Sequence, residues 1–462
     1  MAEKARKLGR FSLLLAAAAL LTACGSPESK LRKKFATTLT GTIQLPAGRI
    51  DVSAELRLAD GAHDLEIVGT SNTLLKATDE FKGRAIFVAE GARNIKLRGF
   101  AIDGNRVVLE RPLEMVPPEN AFRVYYRDNG MLFDRVYGLE IRDVRFVNVT
   151  NFAILTSRTS VIRIERVEVA DSGSRDAKGR NNMTGGIVIE EGARDFEVRG
   201  CTFRRIRGNA LWTHSLYTSP RNEDGRFLEN HFDYVGRDAI QIGHATRMRV
   251  EGNTGVRIGY PSEMVDAEHL GTPVAIDTAG NVDRAEYVRN RFEEINGKCI
   301  DLDGFHDGVV RENRCVNRLR VEEYPYGHFG IVMNNTNPDM HSQNVEIARN
   351  EIESLKFGAI YLIGSGHRVT DNVFRGVNLA GCNEMAALFG CIYKKDEPDM
   401  LQSGIYLGRG VVRMEDTRDN TIRGNKISGH RMKTRCIAAA PGVSLAQNTI
   451  QANDCSDEPA RP

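Results

Sequence analysis

The sequence predicts an all-β solenoid, a parallel β-helix with long insertion loops, and three observations predict it. Short runs rich in Val, Ile and Phe recur from Thr40 to Ile450, separated by Gly and Asn. No helical periodicity persists anywhere after residue 23. An asparagine followed two residues later by an apolar residue returns at a basic interval of 22 or 23 positions, with occasional longer gaps.

The first element is an export signal. Lys4, Arg6, Lys7 and Arg10 precede the apolar run from Phe11 to Leu21, which is followed by small residues and is too short to span a bilayer. Leu21-Thr22-Ala23-Cys24 resembles the bacterial lipobox, in which the thiol is acylated and the signal is cut just before it. The resemblance implies a lipid on Cys24 and, with Gly25 rather than Asp after it, sorting to the outer membrane. Loss of residues 1–23 removes four basic residues and Glu3, which takes the formal charge from +2 to −1. Such a chain has no basic field for nucleic acid. Residues 24–37 read as the lipidated cysteine and a short polar tether, residues 38–450 as the solenoid and residues 451–462 as a tail.

The repeat follows. Asn230/Phe232, Asn290/Phe292, Asn313/Cys315, Asn350/Ile352, Asn372/Phe374, Asn425/Ile427 and Asn448/Ile450 share one pattern, and Asn253 belongs to the same series. Their spacings of 23, 37, 23, 37, 22, 53 and 23 describe stacked coils with loops bulging between them. Upstream, Phe100/Ile102, Val144/Phe146, Val167/Val169 and Cys201/Phe203 hold the same register without the amide. Each coil also carries a second strand, exemplified by Ala239-Ile240-Gln241-Ile242, Ala275-Ile276-Asp277-Thr278 and Cys299-Ile300-Asp301-Leu302. With a period of two, the Ile and the residue two further on point inward. Burying one such side chain stabilises each strand by roughly 1.5–3 kcal/mol, and only a stack of coils can bury the whole face.

The opening from Gly41 to Arg106, with Leu45-Pro46-Ala47-Gly48 and Gly99-Phe100-Ala101-Ile102-Asp103-Gly104-Asn105, resembles the pectate-lyase-like superfamily, and the coils after it are similar to parallel β-helix repeats. The resemblance covers nearly all of residues 38–450. It implies a single-stranded right-handed parallel β-helix of about twelve coils whose inward asparagines bond up and down the stack as a structural ladder; the chain is expected to be a monomer.

Candidate chemistry sits on the column after each Ile, which is expected to face solvent: Leu155, Val188, Trp212, Gln241, Asp277, Asp301, Val332, Tyr361 and Tyr406. Two residues on, the same face shows Ser157, Glu190, His214, Gly243, Ala279, Asp303 and Asn334. Adjacent coils lie about 4.8 Å apart, so Asp277 and Asp301 become neighbours and Asp303 lies one pleat away. Like charges at that range raise one carboxyl's pKa or gather a cation. Two readings stay open: a shared proton gives an acid and a base for glycosidic cleavage, or Asp277, Asp301 and Asp303 hold Ca²⁺ through hard oxygens. His306 and His244 assist in either, with loop hydrogen bonding as their plainer role, and Asp303-Gly304 and Asp307-Gly308 are also ordinary turn signals. Trp212, the one tryptophan, is a sugar platform or lies under a loop; His214, Gln241 and Tyr361 join it as substrate contacts.

Insertions at about 105–137, 171–184, 258–272, 317–329 and 375–403 are expected to wall this face. They bring Arg123, Tyr125, Tyr126 and Arg127 in one case and Tyr324, Tyr326 and His328 in another. Seven cysteines remain after Cys24. Cys382 with Cys391 and Cys436 with Cys455 are close enough to form staples, and Cys201, Cys299 and Cys315 read as buried thiols. Polygalacturonases resembling this fold carry Asn-Thr-Asp, Asp-Asp, Gly-His-Gly and Arg-Ile-Lys on successive coils, of which Asp277-Thr278 and Asp301-Leu302-Asp303 are echoes. Pectate and alginate lyases need an Arg or Lys base, and Lys298 lies near Asp301. The expected function is therefore a lipid-anchored envelope protein that binds polysaccharide and cleaves it, as lyase or glycoside hydrolase; the alternative is a non-enzymatic glycan-binding or structural β-helix.

Overall fold

The computed structural model describes residues 26–181, 183–266, 272–327, 329–381, 400–410 and 413–458. Cys24, His328, Cys382 and Cys391 lie outside them. The strands pair in parallel into three columns that run the length of a right-handed β-helix. The first column contains Arg249–Glu251, Glu286–Val288 and Val309–Arg311 in register. The second contains Thr254–Ile258, Arg291–Ile295 and Arg314–Val316. The third contains Ile240–Thr246, Val274–Asp283 and Lys298–His306.

The asparagine ladder stands at the turn between the first and second columns. From Asn230 through Asn253, Asn290, Asn313, Asn350, Asn372 and Asn425, each backbone N–H and each Nδ2 donates to the Oδ1 of the next, at 2.9–3.1 Å. Each Nδ2 also donates to a carbonyl of the coil before, as Asn290 does to Val250 O at 3.0 Å. The residue before each asparagine of this ladder, such as Glu229, Arg289 or Gly424, has φ between +53° and +69°. This left-handed residue bends the chain, and a side-chain amide then satisfies the groups that the bend leaves over. The same conformation recurs at Gly99, Asp143, Arg166 and Gly200, before the four upstream positions without an amide. Cys201 N donates to Asn230 Oδ1 at 3.0 Å and so begins the ladder.

Two assignments change at the C-terminal end. Asn425 passes to Asn453, 28 residues on, and not to Asn448. Asn448 instead accepts from Asn420 N (3.1 Å) and Nδ2 (3.0 Å), in a second, shorter ladder that starts at His367. Asp454–Asp457 pairs with Lys426–Gly429, so the stack runs past residue 450 into the stretch expected to be a tail.

The core lies between the columns. Ile240, Ile276, Ile300, Ile331 and Ile360 of the third column and Phe232, Phe292, Cys315, Ile352 and Phe374 of the second are all buried in one cluster. The expected tether is ordered helix over Pro27–Thr37. Ser26 caps it, accepting from Ser29 N at 3.1 Å, and Pro27 occupies its first turn. Leu31 and Phe35, four apart on one face, are buried, with Phe35 edge-on to Phe87 at 5.6 Å. The helix covers the open end of the stack, where inward side chains of the first coil would otherwise meet water.

Disulfides join Cys436 to Cys455, as expected, and Cys299 to Cys315. The second pair corrects the sequence expectation of two buried thiols. Cys299 of the third column and Cys315 of the second face each other across the interior with Cα atoms 6.1 Å apart, within disulfide reach. Cys201 is buried and unpaired, and burial pushes its thiol pKa up to about 12.

Candidate active site

The third column stacks in the register read from the sequence. Val188 pairs with Trp212, Trp212 with Gln241, Gln241 with Asp277, Asp277 with Asp301, Asp301 with Val332, Val332 with Tyr361 and Tyr361 with Tyr406. Ala279, Asp303 and Asn334 stack beside them. The face is not the open wall expected. It is a cavity of about 640 Å³ whose floor carries Gln241, Asp277, Asp301 and Asp303, with Asp277 9% and Asp301 5% exposed.

Side chains on successive coils form a hydrogen-bonded row. Asn209 Nδ2 donates to Gln241 Oε1 at 2.8 Å, and Gln241 Nε2 donates to Asp277 Oδ2 at 2.8 Å. Burial first, then the Asp238 and Asp301 carboxylates, push the Asp277 pKa well above the ordinary range. Asp301 has other neighbours: Lys298 Nζ contacts its Oδ2, and Asn334 Nδ2 donates to its Oδ1 at 2.8 Å. Asp303 is raised to about 6 by burial and by Asp301, against two donors from Thr336. Asp238, buried behind the floor beside Arg237, is likewise raised to about 6, chiefly by burial. Val274 N donates to it at 2.9 Å.

His244 enters the cavity because its strand bulges. The register shifts between Gly243 and Ala245, and His244 takes φ +47°; such a bulge re-aims a side chain. The next coils answer with glycine: Gly280 has φ +102° and Gly304 φ +75°, and a Cβ on Gly304 would stand 2.7 Å from Gly280 O. The His244 ring packs at 4.6 Å on Tyr217, its Nδ1 has no hydrogen-bond partner, and burial pushes its pKa down to about 4.

Of the sequence-predicted residues, Asp277, Asp301, Asp303, His244, Gln241 and His214 meet in this cavity, and Trp212 lies at its edge. Trp212 is no exposed platform. The insertion carrying Phe122 and Tyr126 lies over it, with Phe122 at 4.9 Å, and leaves it 2% exposed. Glu190 fixes that insertion by accepting from Phe122 N at 2.8 Å and Arg123 N at 3.0 Å. Tyr361 is also removed from any sugar: it is 2% exposed and stacks on Tyr406 at 6.0 Å. His306 lies past the bulge, level with Asp283, stacked on His341 at 4.2 Å and bonded through Nδ1 to Asp307 at 2.8 Å. Asp307 itself has φ +51° and accepts from Asn344 Nδ2, which is a turn role. Tyr126 and Tyr324, read as recognition residues, are buried supports of their loops.

The calcium reading loses its geometry. Asp277, Asp301 and Asp303 do not bring one ligand atom each within 4.8 Å of one another; among the described residues only Glu190, Glu191 and His214 do. The Lys298 ammonium sits where a cation would neutralise Asp301. The two glutamates are occupied with the backbone N–H groups of Phe122, Arg123 and Leu216.

Sequence reasoning missed Asp238, Tyr217, Thr336 and Asn337. A signal existed for the first: Asn209, Asp238 and Lys298 occupy the place two residues before the inward aliphatic in their coils. Tyr217, Thr336 and Asn337 come from connecting loops whose docking has no period.

No protein-family model matches the chain, nor does any curated protein. Among solved structures, the surface protein and adhesin PfbA of Streptococcus pneumoniae superposes with a TM-score of 0.53 at 12% identity, over 94% of this chain and 96% of its own. A second structure of PfbA gives 0.51 at 14% identity, over 76% and 86%. The catalytic unit of a thermostable GH87 α-1,3-glucanase from Streptomyces thermodiastaticus strain HF3-3 gives 0.49 at 14% identity, over 94% and 68%. Likeness at these identities speaks for the fold alone.

Proposed function

We propose that the cavity binds a glycan and cleaves a glycosidic bond by hydrolysis, with Asp277 as the proton donor and Asp301, paired with Lys298, as the second carboxyl. One observation carries this reading: two aspartates on adjacent coils have different surroundings, Asp277 buried beside the Asp238 and Asp301 carboxylates and pushed up in pKa, Asp301 in contact with the Lys298 ammonium and the Asn334 amide. Carboxyl pairs whose surroundings separate their protonation are the machinery of acid-catalysed glycoside cleavage. Asp303 and His244 line the same cavity and would orient the substrate and water there. Gln241 and His214 are polar contacts on the cavity wall.

Hydrolysis is favoured over lysis by the charge of the site. A lyase must accommodate a uronate beside its base. Here an added carboxylate would face Asp277, Asp301 and Asp303, while Lys298 is already engaged by Asp301 and Arg237 stands beside Asp238. The substrate class is therefore an uncharged glycan. We further propose that the protein works in the cell envelope, anchored through Cys24 to the outer membrane; the lipobox-like signal supports this.

The test is incubation of the purified full chain with neutral and acidic polysaccharides, following reducing ends and unsaturated products together. New reducing ends from a neutral polymer, reduced about 10²–10⁴-fold by Asp277→Asn with unchanged thermal unfolding, are expected. Unsaturated products would replace hydrolysis by lysis. Binding without any product would leave a glycan-binding β-helix, and full activity in Asp277→Asn would remove Asp277 from the chemistry.

A further inference from the structure

We infer that this pocket takes the end of a glycan chain and not a stretch from its middle. The inference rests on the glycan reading above and concerns how the cavity is bounded. The outward column of a β-helix is a trough that follows the axis, one coil about every 4.8 Å. A polymer laid in an open trough continues past the reacting bond in both directions.

Here the trough is stopped at both ends. Toward the N-terminus, the outward positions Leu155, Val188 and Trp212 are buried in a separate apolar cluster with Phe122, Phe152 and Tyr126. Glu190 clamps that cover from below through two backbone N–H groups. Toward the C-terminus, the outward positions Val332, Tyr361 and Tyr406 are buried in the main core. Of that outward column, Gln241, Asp277 and Asp301 line the cavity between the two plugs, with Asp303 beside them.

The side over the strand exits is bridged as well. Asn337 Nδ2 donates to Tyr217 Oη at 2.7 Å, which joins loops 120 residues apart in sequence across the bulged ends that carry His244 and Asp303. A cavity of about 640 Å³ is of the size that encloses a small ligand. A chain threaded through it would have to lift either the Phe122 insertion or the Val332–Tyr361 packing. A chain end meets neither obstacle: it enters through the mouth, places its terminal residues on Asp277 and Asp301, and leaves the rest of the polymer outside.

Cyclic and linear glycans of the same linkage separate the two cases, since a ring offers every internal linkage and no end. The full chain is incubated with linear malto-oligosaccharides against cyclodextrins, and with linear against cyclic β-glucans; binding is read by calorimetry and products by chromatography. For an accepted polymer without a cyclic form, oligosaccharides blocked at one end or the other serve instead. The expected result is at least tenfold preference for unblocked linear forms, with one small product from the earliest time and the remaining polymer close to full length. Equal acceptance of cyclic and linear forms, or long internal fragments appearing first, overturns the inference and leaves the glycan reading standing. If no glycan of either panel is bound or cut, that reading falls and the chain-end inference falls with it.

Discussion

Replacing Asp303 by asparagine is expected to stabilise the protein at pH 7 and to change little near pH 4. Burial, then the Asp301 carboxylate, raise the Asp303 pKa from 3.8 to about 6, although both the N–H and the hydroxyl of Thr336 donate to it. A carboxyl whose pKa is higher in the folded state binds more protons there. Its contribution is therefore complete below pH 3.8 and is lost as the pH rises through 6. Two units of difference are worth about 2–3 kcal/mol, which the ionised wild type forfeits at neutral pH. Asparagine avoids that cost: its Oδ1 still accepts from Thr336 N, and its amide donates to the Thr336 hydroxyl. His244 and His367, both held near 4 by burial, act with the opposite sign, since their neutral forms favour folding above pH 6.5 and lose that advantage as pH falls toward 4. Both are present in parent and variant, so they cancel in the difference. Guanidinium unfolding of the two proteins from pH 4 to 7.5 measures it. A gap that stays constant with pH, or that widens on acidification, would refute the buried-carboxylate account of the site.

Two further outcomes follow from the scaffold. Asn290→Ala removes the acceptor of Asn253 N and Nδ2 and the donor to Asn313 Oδ1 and Val250 O, so a loss of about 3–5 kcal/mol is expected in denaturant unfolding; Asn453→Ala, at the partly exposed end, should cost less, and equal losses would deny the ladder its role. Glu190→Ala frees the Phe122 insertion, so the emission of Trp212, the only tryptophan, should move to the red and become quenchable by acrylamide. An unchanged spectrum would mean that the cover is held by packing alone.

What was legible in the sequence is what the backbone period dictates. Alternation along a strand and a constant turn placed Gln241, Asp277 and Asp301 in one column, and their pairing follows that alignment residue by residue. What the period does not encode was misread. The step from Asn425 to Asn453 spans 28 residues, so Asn448, at the familiar spacing of 23, took its place. Cys299 and Cys315 belong to different columns, and a separation of 16 residues carries no sign that the two face each other across the interior. Trp212 was assigned to the correct face, but whether a face is covered depends on where a distant insertion docks, and Glu190, the residue that docks it, reads in sequence as one more outward acid. The helix over Pro27–Thr37 did leave signs, in Ser26-Pro27-Glu28 and in the four-residue spacing of Leu31 and Phe35, which the polarity of the segment masked.

The ladder and the site are coupled through the coils they share. Val274–Asp283 carries Asp277 and leads into Asn290, and Lys298–His306 carries Asp301 and leads into Asn313. Asp277 is raised because the stack holds it next to Asp238 and Asp301 and away from water. A scaffold free to spread would relieve that repulsion by separating the coils or admitting solvent, and the pKa would relax with it. The strands bearing Asp277 and Asp301 are instead clamped on one side by parallel pairing and on the far turn by amides bonded above and below. A destabilising group of this kind persists where surrounding structure over-determines its position. Weakening the ladder at Asn290 or Asn313 should therefore lower the Asp277 pKa as it lowers stability, so that the protonated fraction of Asp277 near neutral pH falls and the acid-dependent limb of the activity profile moves to lower pH, although the ladder never touches the cavity.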